Sequence, residues 1–522
     1  MKLNVLLAAM LPLTALAAPV EKLAVPRVFS DHAVLQKSAR TPVWGWAPAG
    51  EEVAVELKGT PASAKATTGA EGNWRVDLDL SAVGEGPFEL VITGASGSVT
   101  LTDILVGEVW LFSGQSNMRF HLARGTGGEA DAAQASDPQL RLLSVGLKIS
   151  NEPVHDIKQR WTTCDPKTAG EFSAVGYYVG RELRKSVKGP VGLVSICWAG
   201  SPIEAWMSPA ALAGDPDFLP ITEKWAKRVA EYPAKKAEWE ANKVELLAKW
   251  EADAAAAKAA GQREPVKPGG PNGGPDSLDT PSGLYHGEIL AFAPYAMRGV
   301  VWYQGEQNSG RGFQYRKLLP ALIADWRGLW NQGEFPFIII GIPNFGKVKP
   351  DPGFSMWAEL REAQAMADAS VPGTELVCTI DLGEDGDVHP KDKRSVGLRA
   401  ARVIEKQVYQ VTTAEVFGPV FREMSVENGA IRVKFNHAEG LKAKDGGPLK
   451  EFAISGADRK FAWAEAVIEG DTVLLRSEKV PNPVAARYNW ADAPHGNLYN
   501  AADLPAAPFR TDDFPAQSRD SK

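Results

Sequence analysis

The chain has 522 residues and a mass of 56.2 kDa, more than one ordinary hydrophobic core accommodates, so two to four folded units are expected. A formal net charge of −7 and the absence of a long Lys/Arg block argue against nucleic acid or an anionic membrane as partner and favour a neutral or weakly charged substrate. Three cysteines, Cys164, Cys197 and Cys378, allow at most one disulfide and read mainly as small buried apolar residues.

In chain order, Met1-Lys2 and the short apolar run from Val5 to Leu13 have the form of a secretory leader. Ala15-Leu16-Ala17 is a suitable cleavage pattern, so 1–17 is expected to be a signal peptide and the mature chain periplasmic or extracellular. From 18 to 106, alternating runs such as Val53–Leu57 and Trp74–Leu80, separated by Gly- and Pro-rich turns, predict a β-sandwich. From 107 the apolar runs Val109–Phe112, Val191–Ile196, Val300–Tyr303 and Phe337–Ile342 read as buried parallel strands. Helical segments such as Val175–Lys188 and Tyr315–Leu329 separate them, which predicts an α/β unit in two parts, 107–213 and 283–410. The intervening 214–282 reads as an insertion: a charged, Ala-rich helix followed by a flexible Pro/Gly tract around Pro268–Pro271. Alternation returns at Ala430–Phe435 and Thr472–Leu475 and predicts a second β-domain over 411–522.

Four segments carry convergent chemistry. Gly114-Gln115-Ser116-Asn117-Met118 directly follows the strand Val109–Phe112 and presents Ser116 at its C-terminal end as a nucleophile for acyl transfer. Ala199–Trp206 and Trp302–Asn308 end or follow two more strands, so their loops emerge on the same sheet edge. The fourth, Asp385–Pro390, contains His389. Its imidazole is the preferred base for the Ser116 proton, with His121, His155 and His286 as rivals. Asp387 is the preferred carboxylate to orient His389; Asp385, Glu384 and Asp381 are alternatives. The Ser116 and Gly200 amides, with a side-chain amide from Gln304 or Asn308, are candidates for holding the oxyanion. Trp198, Trp206 and Glu306 are candidate substrate contacts, core packing being the alternative for the tryptophans and loop bracing for Glu306.

Together these segments resemble the sialate O-acetylesterase-like family of carbohydrate esterases, within the SGNH hydrolases. The resemblance extends from Leu105–Trp110, the Ser116 motif, Pro202–Trp206, Gly299–Glu306 and Asp387–Lys391 to Val28–Gln36 and Pro42–Trp46 near the N-terminus. It implies an SGNH-type three-layer α/β/α domain with a parallel sheet, flanked by N- and C-terminal β-domains, that deacetylates O-acetylated carbohydrates without a metal or other cofactor. It also implies Ser116 as nucleophile, His389 as base, and Gly200 with an amide of the 304–308 loop as oxyanion site. One position departs from the wider pattern: many SGNH hydrolases carry Asp three residues before the histidine, and here that residue is Gly386. Two other readings are a non-catalytic carbohydrate-binding protein and a glycosidase using Glu306 with a carboxylate of the 381–387 loop.

Overall fold

The computed structural model describes residues 20–146, 148–271 and 273–521; the expected leader, 1–17, lies outside the described residues. The N-terminal strands are β1 (Val34–Gln36), β2 (Thr41–Trp46), β3 (Glu52–Leu57), β4 (Ser63–Thr67), β5 (Asn73–Leu78) and β6 (Phe88–Gly94). They show the two-residue period of half-buried strands: Trp74, Val76 and Leu78 are buried, while Asn73, Arg75 and Asp77 are exposed. β2 pairs with β5, and β3 with β4 and β6, all antiparallel.

An 18-residue strand, β7 (Gly97–Gly114), then carries the chain into the central sheet. Its first half pairs antiparallel with β6, and its Leu105–Gly107 segment pairs parallel with β1. The expected boundary between residues 106 and 107 therefore falls inside a continuous strand, with no linker. The remaining strands of the central sheet are β8 (Asp137–Ser144), β9 (Thr162–Cys164), β10 (Val191–Cys197), β11 (Gly299–Tyr303), β12 (Phe337–Ile340) and β13 (Thr374–Val377). Their order is β13-β12-β11-β7-β10-β8-β9, and every neighbour pair except β8/β9 is parallel. The chain winds outward from β7 in both directions, so the C-terminal end of β7 is the topological switch point, where an open α/β sheet leaves a crevice.

Both faces of the sheet are covered, which explains its near-continuous apolar strands. Trp110, Phe112, Leu193, Val301 and Ile338 share one core with helices spanning Ala174–Ser186 and Lys393–Gln407. Leu111, Val194, Val300 and Ile339 share the other with helices spanning Gly312–Trp330 and Met356–Ser370. Each such side chain, taken fully out of water, contributes about 1.5–3 kcal/mol before entropy is counted.

In the C-terminal β-domain, Val420–Glu427, Ala430–Asn436, Thr472–Arg476 and Glu465–Glu469 form an antiparallel sheet over Ile431, Val433, Phe435, Val473 and Leu475. The buried Arg361 guanidinium binds it to the α/β layer, donating to the carbonyls of Ile342, Pro343, Ala491 and Asp492. The insertion contains a 41-residue helix, Leu219–Ala259, in which only Ile221 and Ala254 are buried among the described residues. The following Pro/Gly tract folds back along it: Trp250 Nε1 donates to Pro265 O at 2.9 Å.

Candidate active site

The turn after β7 is built around Gly114. Its φ is +133°, and a Cβ there would lie 2.2 Å from Tyr303 O, so only glycine fits. Gly114 O accepts from Trp198 N at 3.0 Å and Gln115 N donates to Tyr303 O at 3.0 Å, which binds the three strand-end loops to one another. The buried Gln115 side chain adds to this by accepting from the amides of Gly305 and Gln307. Ser116 opens a one-turn helix, α1 (Ser116–Arg119), and its hydroxyl has no hydrogen-bond partner among the described residues.

Ser116 borders a cavity of about 1040 Å³ together with Ala199, Asp387 and His389. The structure thus brings residues 116, 387 and 389 to one space. Asp387 Oδ1 accepts from the His389 backbone N at 2.9 Å and lies 3.7 Å from Nδ1. The other acidic candidates are engaged elsewhere: Asp381 pairs with Arg399, Asp385 with Asn344 and His495, and Glu384 accepts from Lys391 N. Burial holds the His389 pKa below its ordinary value, against the pull of Asp387 and with further lowering by Lys393 and Arg124. This favours the unprotonated imidazole, the form in which it accepts a proton. His121 also borders the cavity, whereas His155 and His286 do not.

Three loops are fastened beneath this cavity by one side chain. Asn117 Nδ2 donates to Glu306 Oε1 at 2.5 Å and to Val388 O at 3.0 Å, while its Oδ1 accepts from Lys393 Nζ at 2.6 Å. Asn117 and Lys393 are both fully buried. The Lys393 ammonium faces the rings of Phe120 and Tyr303, and burial pushes its pKa down to about 7 despite the attraction of Glu306. Burial likewise raises the Glu306 pKa, against the hydrogen bond from Asn117 and the charge of Lys393.

The amides of Ser116 and Gly200 donate to no protein acceptor among the described residues, and Gly200 takes φ +73°. Other expected site residues lie elsewhere. The Gln304 side-chain amide is committed, donating to Ser201 O at 3.2 Å and Asn308 Oδ1 at 2.7 Å and accepting from the Tyr315 hydroxyl at 2.8 Å. Asn308 is also fully buried, donating to Glu204 and accepting from Ile203 N, so these two amides brace the loops behind the cavity. Trp206 is not a sugar platform. It is fully buried edge-on to Trp302, with Nε1 on Ser201 Oγ, because the short helical turn Ile203–Trp206 directs it into the core. Trp198 is half-buried, packs against the same core and does not border the cavity. Glu306 points into the Asn117 network instead of the cavity, which corrects its reading as a substrate contact and removes the acid that a glycosidase would need.

Sequence reasoning missed Asn117 and Lys393 as site residues, along with the exposed Arg119, Arg124 and Lys391 on the cavity wall. Asn117 adjoins the nucleophile, a signal that was available. Lys393 opens the helix Lys393–Gln407 and reads locally as a solvated charge, since nothing near it in sequence reveals that it is buried.

A serine at the switch point of a three-layer α/β/α sheet, bordering one cavity with a histidine and an aspartate, is the arrangement found in serine hydrolases of the SGNH class. A model of the family described as "Carbohydrate esterase, sialic acid-specific acetylesterase" matches residues 286–405. The chain is 28% identical over 536 residues to the sialate O-acetylesterase of Rattus norvegicus, covering 92% of each. It is 26% identical over 528 residues to that of Homo sapiens, covering 92% of this chain and 91% of the other. A solved carbohydrate acetylesterase from Xanthomonas citri is 34% identical with a TM-score of 0.77, over 94% of this chain and 100% of that one. The chain belongs to the sialate O-acetylesterase-like family of carbohydrate esterases.

Proposed function

We propose that the chain is an exported serine esterase that hydrolyses O-acetyl esters of carbohydrates through an acetyl-enzyme. The observation that carries the mechanism is the shared cavity of Ser116, His389 and Asp387. His389 accepts the Ser116 Oγ proton as the oxygen attacks the acetyl carbonyl carbon, and the charge that builds on the carbonyl oxygen is met by the amides of Ser116 and Gly200. The imidazolium then protonates the departing sugar oxygen, leaving acetate esterified to Ser116. Water, deprotonated by the same imidazole, attacks the acetyl carbon, and collapse of the second intermediate releases acetate and restores the hydroxyl. Asp387 fixes the loop by holding the His389 backbone amide, and its charge favours the imidazolium that forms on each half-reaction. The names of the relatives point to acetylated sialic acids and other acetylated carbohydrates, among which acetylated plant oligosaccharides or polysaccharides are the proposed alternative to sialic acids.

The test is acetate release from 4-nitrophenyl acetate and from a panel of acetylated sialic acid, xylan, xyloglucan and pectin fragments. The wild-type protein should turn over the aryl ester and at least one panel member, and Ser116→Ala should abolish both. Retained turnover in that variant would remove Ser116 as nucleophile, and glycan binding without acetate release would instead identify a binding protein.

A further inference from the structure

Where the N-terminal strands meet the α/β unit lies a cavity of about 470 Å³, within the size range of small-ligand pockets. The antiparallel ribbon of β2 and β5 forms one wall of it. Its register sets Trp46 opposite Asn73 and Trp44 opposite Arg75. Side chains two apart on a strand point the same way, so these four share one face, with the two indoles about 7 Å apart along β2. Trp44 and Trp46 are half-buried and Asn73 and Arg75 exposed, while the intervening Gly45 and Trp74 are buried. His155, Leu290, Ala293 and Pro294 complete the lining.

Core packing accounts for only part of this arrangement. Trp44 meets Phe29 edge-on at 4.6 Å, but Trp46 joins none of the hydrophobic clusters among the described residues. Indoles buried in the core give their N–H to a protein acceptor, as Trp110, Trp161, Trp206, Trp326 and Trp330 do. The N–H groups of Trp44 and Trp46 meet no acceptor among the described residues, and Nε1 of Trp74, which also borders the cavity, is buried without one. Three indole donors are therefore unpaired around one space, where a buried polar group ordinarily has a partner. The ionisable residues of the lining are Arg75 and His155. Arg75 donates through Nε and Nη2 to Asp77 Oδ1 at 3.2 and 3.0 Å, and the other Asp77 oxygen accepts from Arg40. Indole faces beside an amide, an imidazole and an already paired guanidinium are complementary to an uncharged ring with apolar C–H faces and hydroxyl edges.

This space is separate from the catalytic cavity. Ala293 and Pro294 lead into the N-terminal end of β11, whereas Ser116 follows the C-terminal end of the neighbouring β7, where Tyr303 pairs with Gly114. The strand rises about 13 Å between Gly299 and Tyr303, so a ring held here is not adjacent to the sugar whose ester Ser116 attacks.

We propose that this pocket is a non-catalytic carbohydrate site that holds an uncharged sugar ring and attaches the protein to a polysaccharide at a distance from the reacting serine. Binding there does not depend on the esterase reading. The test is affinity electrophoresis of the full chain in native gels containing xyloglucan, arabinoxylan, galactomannan or polygalacturonate, all free of acetyl groups, with circular dichroism to establish the folding of each variant. Wild type and Ser116→Ala should be retarded equally by at least one of the three neutral polymers. Trp46→Ala should raise the apparent Kd for that polymer at least about fivefold, and Asn73→Ala, which removes an exposed amide without a side-chain partner among the described residues, about twofold to threefold. If Trp46→Ala does not fold, Asn73→Ala decides. Retardation by none of the neutral polymers, retardation by polygalacturonate alone, or equal retardation of the wild type and the folded variants would overturn the proposal.

Discussion

Asn117→Ala separates the bracing of the site from its chemistry, because Asn117 touches three loops yet takes no part in proton transfer. The substitution removes the bonds to Glu306 Oε1 at 2.5 Å, Val388 O at 3.0 Å and Lys393 Nζ at 2.6 Å, and leaves groups without partners in the interior. Two of the three bonds involve ionisable partners, for which net contributions of about 1.5–3 kcal/mol are typical, and the third is a neutral bond worth about 1 kcal/mol. A simple sum gives roughly 4–7 kcal/mol. The bonds share one residue and are not additive, and water entering the vacated space recovers part of the loss, so destabilisation of about 3–5 kcal/mol is expected. The kinetic effect follows from Val388 O, the acceptor one residue before the base: once released, the His389 loop is free to shift relative to Ser116. A displacement of about 1 Å at a reacting group costs on the order of 100-fold in rate, so kcat for 4-nitrophenyl acetate should fall by about that factor with little change in KM. Steady-state kinetics at a temperature where circular dichroism shows the variant folded is the appropriate assay. A folded Asn117→Ala protein with kcat within twofold of wild type would refute the bracing role.

Other substitutions test the titrating groups. His389→Ala should reduce kcat by 100-fold or more, the range for loss of a general base, whereas His121→Ala should reduce it by less than about tenfold; the reverse order would reassign the base. Because the His389 pKa lies below its ordinary value, kcat/KM should fall only when the pH drops below about 6.5. Arg124→Gln removes one of the charges that depress it and should move that acid limb to higher pH. Lys393 has a pKa of about 7 in the folded chain, below the ordinary 10.5, so the unfolded chain binds more protons between these values. Its contribution is complete above pH 10.5 and is lost as the pH falls through 7, so wild-type stability should rise with pH across this window. Lys393→Met should flatten that rise in urea melts at pH 7, 8 and 9, and an unchanged slope would show that Lys393 is not the responsible group.

Much of this protein is readable locally. A strand announces itself by the alternation of Trp74, Val76 and Leu78 or by a fully apolar run such as Val300–Tyr303, because side-chain period and burial are properties of a few consecutive residues. Ser116 at the end of such a run, with Gly114 to permit the turn, and His389 with Asp387 two residues away were legible for the same reason. The folded chain added what depends on distant partners. Lys393 meets Asn117 across 276 positions, and Glu306 meets it across 189, so neither burial nor pairing leaves a local trace. Gln304 and Trp206 have the composition of site residues, yet a third layer of loops takes their polar atoms and turns them inward. A carboxylate, an amide or an indole has the same intrinsic chemistry in water or in a core. The surface packed against it selects catalyst, brace or filler, and that surface exists only once remote segments have come together.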